Sequence, residues 1–291
     1  MKQGPVHALV QSLADMGSGG EFTGNLQRDF ERHVRRHGAE VDIRLWAHNI
    51  NFQDGLGVQQ RKVYCLLPHD VLSFLWRKER SVFSDIFEGP PGSLSDFWAA
   101  AEGQPWFNAN PLRPQIVKDP CCVLPLRLHG DDAPLWKTVC GLCLSFSSPL
   151  AWCDTAQRSI FPVFYLPMVR LEPGAEQDLY SIVVWSLNCL MTGRFPDRDW
   201  RGKLFSHRYM PERFRVANHM IASGLRFTVS EILGDLKFLK EALLLPVSYQ
   251  HRELCMFCYA CKTANALCFS DFREGAGHRA RKRSHAEFMG L

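Results

Sequence analysis

Two short stretches carry the residues best suited to chemistry. "LRLHGDDAPLW" places Asp131 and Asp132 directly after an apolar run, and "ILGDLKFL" places Asp235 after another. Carboxylates gathered from the ends of neighbouring strands are the hard oxygen ligands that Mg²⁺ takes. Metals held there act as Lewis acids, activating water or a DNA 3′-hydroxyl and stabilising the leaving oxygen. Each stretch also has a plainer reading. "GDD" closing a strand at Gly130 is a turn sequence. Asp235 ahead of "LKFLKEALLLP" is a helix N-cap. Asp132 is the weaker ligand, because successive strand residues point to opposite faces.

The eleven cysteines form an odd count, and several lie in apolar runs, so buried thiols or metal ligands fit better than a disulfide framework. "HRELCMFCYACKTANALC" contains Cys255-x₂-Cys258, a spacing that wraps one zinc. His251 and Cys261 complete a candidate Zn²⁺ set of structural type, with Cys268, His278 and His285 also in reach along the chain. The plainer reading is a surface loop with free thiols. Cys140-x₂-Cys143 has redox spacing but lies in a strand-like run, without the helix N-terminus that would lower a thiol pKa.

The net charge is only +4, so its distribution matters more than its size. The tail "REGAGHRARKRSH" holds Arg279, Arg281, Lys282 and Arg283, a cluster suited to phosphate contact or simply to solvation. Arg28, Arg32, Arg35 and Arg36 flank the polar face of a helix marked by Leu26, Phe30 and Val34. No run of about twenty apolar residues is present, and the N-terminus lacks the apolar core of a signal peptide. The expectation is a nuclear or cytoplasmic protein that is neither secreted nor membrane-bound. With 46% hydrophobic and 22% charged residues, the composition is that of a globular chain and excludes wholesale disorder.

The elements that would position Asp131 and Asp235 follow from patterning. Before Pro120 the chain reads as mainly helical. The helix in "PHDVLSFLWRKERSVFSDIFEGPPGS" has an apolar side from Val71 to Phe87 and is stopped by Gly89, Pro90 and Pro91. Then come three strand-like runs, Cys121–Gly130, Thr138–Ser148 and Ser159–Leu171, closely spaced and therefore antiparallel neighbours. A helix from Leu179 to Leu190 ends at Gly193, a fourth strand spans Leu225–Leu233, and a last helix ends at Pro246. Three strands, a helix, a strand and a helix is the order of an RNase H-like α/β (α+β) fold with a mixed sheet and flanking helices. That order makes the first and fourth strands neighbours, although Asp131 and Asp235 lie 235 − 131 = 104 positions apart. The divisions are a flexible N-terminus at 1–20, a helical region at 21–118, the core at 119–250 and a Cys/His-containing basic segment at 251–291.

Four motifs in this order resemble the transposases of CACTA-type and Plavaka-type DNA transposons: "LRLHGDDAPLW", "SIFPVFYLP", "ILGDLKFLKEALLLP" and "ELCMFCYAC". The likeness covers about Cys121 to Cys261, half the chain. It implies that Asp131 and Asp235 are the first two acids of a DDE-type Mg²⁺ site acting on DNA, with Cys255 and Cys258 as the cysteine pair of that family. Asp132 stands where the family usually has Gly, and Phe161 where it usually has Trp. The chain ends soon after the cysteines, where such transposases continue to a third acid; Glu287 is the last carboxylate. The expectation is a transposon-derived RNase H-like domain, either a fragment or a product retained without catalysis. The alternative is a non-catalytic zinc- and nucleic-acid-binding or protein-interaction module.

Overall fold

The order of packing starts with a hairpin. In the computed structural model, described for residues 43, 45–54, 57–136, 139–152, 159–167, 172, 174–235, 238–239, 258–262, 267–268, 270, 273, 275–281 and 284, strand β1 (Trp46–Asp54) pairs antiparallel with β2 (Gly57–Cys65). The described residues from Leu45 onward belong to one unit, Leu45–Leu291. Trp46, Ile50 and Phe52 are buried while Ala47, Asn49 and Asn51 are exposed, a two-residue period that makes this stretch a half-buried strand. The sequence reads as mainly helical before Pro120, and the hairpin is the part of that region that departs from the expectation. The signal was present in "WAHNINF", where Trp46, Ile50 and Phe52 alternate with Asn49 and Asn51, broken by His48 on the inner side and Ala47 on the outer.

Helical structure does follow. Helix α1 (Pro68–Lys78) begins with Pro at its first turn, with Asp70 near its N-terminus and Arg77 and Lys78 near its C-terminus, in keeping with the helix dipole. The short α2 (Arg80–Phe83) runs into a π-helical turn at Ser84–Glu88. Gly89 ends it at φ 68, where a Cβ would sit 2.8 Å from the Leu150 carbonyl oxygen, so no other residue fits without a shift. Helices α3 (Ser93–Ala101), α4 (Pro105–Asn108) and α5 (Arg113–Lys118) complete the segment before the sheet.

The central sheet has the strand order β5-β4-β3-β6. Strands β3 (Val123–Trp136), β4 (Val139–Ser147) and β5 (Phe161–Pro167) form an antiparallel meander. Helix α6 (Ala175–Thr192) then crosses over, followed by α7 (Pro211–Val216), and β6 (Arg226–Gly234) lies parallel to β3. Pro162 and Pro167 are tolerated because β5 is an edge strand, and Pro162 falls at a register shift. Leu124, Leu126, Leu142, Leu144, Phe146, Phe164 and Leu166 are all buried and share one face. Phe87 stacks on Phe146 and Phe161 there, and Tyr180 of α6 meets Phe164 edge-on. Burying such a side chain contributes roughly 1.5–3 kcal/mol, so this face anchors the strands.

Two expectations change here. The first strand does not end at Gly130: β3 continues through Asp131 and Asp132 to Trp136, paired with β4 as Asp131↔Cys143 and Asp132↔Leu142. Asp132 is therefore a strand residue and not a turn. What ends at Gly130 is the pairing with β6. The fourth strand is close to expectation, and the helix after Leu179 begins four residues earlier than its first apolar marker. The basic helix around Phe30 and the helix expected to end at Pro246 lie outside the described residues, apart from the helical Phe238 and Leu239. Among the described residues no helix is long and apolar enough to cross a membrane.

Candidate functional site

The parallel ladder of β3 and β6 runs from Val123↔Arg226 to Gly130↔Gly234. Its offset at the last pair is 234 − 130 = 104, so the next residues on the two strands are Asp131 and Asp235. A bulge between Leu126 and Arg127 sets that register, where the Ser230 hydroxyl donates to the Leu126 carbonyl at 3.2 Å. One step on, Arg127 Nε donates to Glu231 Oε2 at 2.6 Å, tying the strands just before the carboxylates. Neighbouring strands lie about 4.8 Å apart, which brings both aspartates to the end of the β3/β6 ladder, where β3 continues with β4 alone. Both are exposed.

Each aspartate follows a glycine, and the reason is Phe238. A Cβ on Gly130 would lie 2.0 Å from the Phe238 ring. A Cβ on Gly234 would lie 2.3 Å from the same ring and 2.5 Å from the Gly130 carbonyl oxygen. The buried ring thus sits directly on the last pair of the parallel ladder. Asp235 Oδ1 accepts the Phe238 backbone N–H at 2.7 Å, and the Asp235 carbonyl accepts the Leu239 N–H at 3.0 Å. Asp235 is therefore an N-cap in this structure, with Oδ1 used by the cap and no bond to Oδ2 among the described residues. Sequence reasoning found both aspartates but not the glycines' purpose; the repeated Gly-Asp was its visible trace.

On the Asp131 face of the sheet His129 and Cys143 flank the aspartate, and exposed Leu233 pairs with His129. Cys143 is the cross-strand partner of Asp131, and burial, then the Asp131 charge, push that thiol above its usual range. A raised thiol pKa leaves little thiolate at Cys143. Tyr165 lies across from Cys143, its ring over Gly141, where a Cβ would meet it at 2.6 Å. Among the described residues no hydrogen bond or ion pair engages the Asp131 carboxylate, and no group of three or more His, Cys, Asp or Glu could hold a metal. Two hard oxygen donors fit one Mg²⁺, which commonly takes one or two carboxylates and keeps several waters.

The cysteine segment is seen only in part. His251 and Cys255 lie outside the described residues. Cys258 is half-buried and Cys261 buried, and the Cys261 N–H donates to the Leu267 carbonyl at 3.0 Å beside a parallel backbone β-bridge between Cys261 and Cys268, both free thiols. In the basic tail, exposed Arg281 places its guanidinium 5.2 Å from the Tyr259 ring centroid. Arg279 belongs to the short helix Gly277–Ala280, while Lys282 and Arg283 lie outside the described residues.

A second constellation was not foreseen. His69 Nδ1 lies 2.8 Å from the Ser186 hydroxyl, and His69 Nε2 lies 3.6 Å from Asp70 and 3.4 Å from Arg213. Arg213 grips Asp70 with two bonds of 2.6 and 2.5 Å. By residue type this is a serine, histidine and aspartate set. By geometry it is a clamp: His69 and Ser186 are both 0% exposed, so nothing outside reaches them. Burial pushes the His69 pKa down to about 4, with Arg213 adding to the effect and Asp70 opposing it. The neutral ring, with Nε2 facing the guanidinium, carries its proton on Nδ1 toward Ser186. The clamp joins α1 to α6 and α7 across sequence gaps of 117 and 143 residues.

The class these features define is a mixed α/β domain whose four-stranded mixed sheet, flanked by helices, presents a carboxylate pair at the end of its parallel ladder. Compared with family models, curated proteins and solved structures, the chain matches none.

Proposed function

We propose that the chain is a transposon-derived DNA-processing domain on an RNase H-like core, in which Asp131 and Asp235 would hold Mg²⁺. The observation that carries this reading is the β3/β6 register, which makes residues 104 positions apart adjacent at the end of that ladder. The strand order β5-β4-β3-β6, with a helix leading into the parallel strand, supports the RNase H-like core. The resemblance to CACTA-type and Plavaka-type transposases supports DNA as the substrate. A bound Mg²⁺ supplies Lewis-acid stabilisation of phosphoryl oxygens. The chain's own part is to fix the two carboxylates, through the Gly130/Gly234 seat for Phe238 and the Arg127–Glu231 tie. A structural Zn²⁺ on His251, Cys255, Cys258 and Cys261, and phosphate contacts from Arg279, Arg281, Lys282 and Arg283, belong to the same reading, as does a nuclear or cytoplasmic location.

The second reading, a non-catalytic zinc- and nucleic-acid-binding or protein-interaction module, is favoured by two observations. Asp235 already serves as a helix cap, and the described residues bring no third acid to the pair. A plasmid-nicking assay with Mg²⁺ and Mn²⁺ separates the two. Metal-dependent nicking by the wild type that is lost in Asp131→Asn supports the enzyme. DNA binding without nicking, equal in wild type and Asp131→Asn, replaces it with the module.

A further inference from the structure

The segment joining α6 to β6 is ordered by one buried acid. Asp199 is 5% exposed; its Oδ1 accepts the backbone N–H groups of Arg201 and Lys203, both at 2.9 Å, and its Oδ2 accepts the Tyr209 hydroxyl at 2.7 Å. The Asp199 N–H donates to the Lys203 carbonyl, the Phe205 N–H to Asp197 and the Ser206 N–H to Tyr209. The loop is thus closed on itself. Burial, then the bond to Asp199, push the Tyr209 pKa up to about 12, so its hydroxyl stays a donor at neutral pH.

What this loop presents outward is positive charge. Residues Arg194 to Arg215 contain seven Arg or Lys and three Asp or Glu, a balance of 7 − 3 = +4, equal to the net charge of the whole chain. Arg213 and Asp199 are buried, which leaves six exposed cations: Arg194, Arg198, Arg201, Lys203, Arg208 and Arg215. The acids facing them are Asp197, 2.9 Å from Arg198, Asp178 of α6, 3.2 Å from Arg201, and Glu212 at the start of α7. Exposed pairs of this kind are weak and exchange readily. The nearby rings are already in use. The Arg201 guanidinium lies 4.5 Å from the Trp200 ring centroid, and Lys203 Nζ lies 3.7 Å from that of Tyr209. Trp200 and Tyr209 are half-buried beneath Arg201 and Lys203, whereas the exposed cations suit backbone phosphates.

We propose that the Asp199-closed loop and the adjoining α7 form a docking platform for the phosphate backbone of duplex DNA. This rests on the DNA reading above and extends it. The Arg201–Asp178 pair lies at the first turn of α6, so the loop reaches back along that helix and is not confined to the end that leads into β6.

The test measures binding of a mixed-sequence fluorescent duplex over a range of salt. It compares wild type with the fourfold Ala variant of Arg198, Lys203, Arg208 and Arg215, and with a tail variant carrying Arg281→Ala, Lys282→Ala and Arg283→Ala. All four platform side chains are exposed, so thermal melting should be unchanged. The platform variant is expected to bind at least tenfold more weakly at moderate salt, with a log–log salt slope shallower by about three to four. Wild-type affinity and slope in that variant, with binding lost only in the tail variant, overturns the platform and leaves the DNA reading standing. Failure of the wild type to bind duplex at low salt overturns both. Binding of polyglutamate as tight as that of duplex overturns the platform's DNA assignment. Nicking is not part of the readout, so a catalytically silent chain leaves the test intact.

Discussion

The His69 clamp and the Asp131/Asp235 end of the β3/β6 ladder use the same kinds of residue to opposite ends. In the clamp, Asp70 is gripped by two bonds from Arg213, and His69 is fully buried and neutral. At the ladder end, Asp131 is exposed and unengaged among the described residues, and Asp235 Oδ2 takes no bond among them. Residue types alone would point to the clamp as the place for chemistry. Burial and satisfied valence assign it to stability and leave the ladder end with charge to spend on a ligand.

The sharpest way to break this contrast is at the clamp. Arg213→Ala leaves Asp70 uncompensated and should lower unfolding stability by about 3–5 kcal/mol in denaturant titration. Adding Asp70→Leu should restore much of that loss, because an apolar pair removes the stranded charge. Next in size is a pH effect. His69 is neutral in the folded state down to about 4, whereas the unfolded chain takes up the proton from its ordinary value of 6.5. The unfolded state binds more protons in that window, so stability is fully present above 6.5 and falls as pH drops toward 4. The loss is on the order of 3 kcal/mol. His69→Gln should flatten the slope between pH 6.5 and 4; an unchanged slope would show that carboxylates alone set it.

At the ladder end the expected stability effects are smaller. Gly130→Ala drives a Cβ into the Phe238 ring and should cost about 1–3 kcal/mol, with part of the loss recovered when Phe238→Ala is combined with it. Asp235→Ala removes the cap and should cost about 1 kcal/mol, while Asp235→Asn, an equally good cap, should cost little. Asp131→Asn should change stability by less than about 0.5 kcal/mol. Thermal melting of the series checks the ranking.

What was legible in the sequence follows from how local each signal is. The meander, the crossover helix and the parallel strand were visible because apolar runs and Gly or Pro punctuation recur at short range. That order made the first and fourth strands neighbours, but the register that aligns Gly130 with Gly234 depends on the bulge at Leu126/Arg127, which the order does not contain. The hairpin at Trp46–Cys65 was missed although its alternation is as local as any other signal. The continuation of β3 past Gly130 was missed for a physical reason. Asp131, Asp132 and Pro134 are poor strand residues, and it is the ladder with β4 that holds them extended. The clamp could not be read, because its members meet only after α1, α6 and α7 pack together.

Divalent-cation binding tests the carboxylate pair most directly, for example Mn²⁺ titration followed by electron paramagnetic resonance. Wild type, Asp131→Asn, Asp235→Asn and Glu102→Gln would be compared, the last as a control at an exposed acid just after α3 and outside the sheet. Wild type and Glu102→Gln should bind the ion alike, and each aspartate variant should weaken binding at least tenfold with its melting temperature unchanged. Equal binding by all four proteins, or a loss confined to one aspartate, would contradict a cation shared between Asp131 and Asp235.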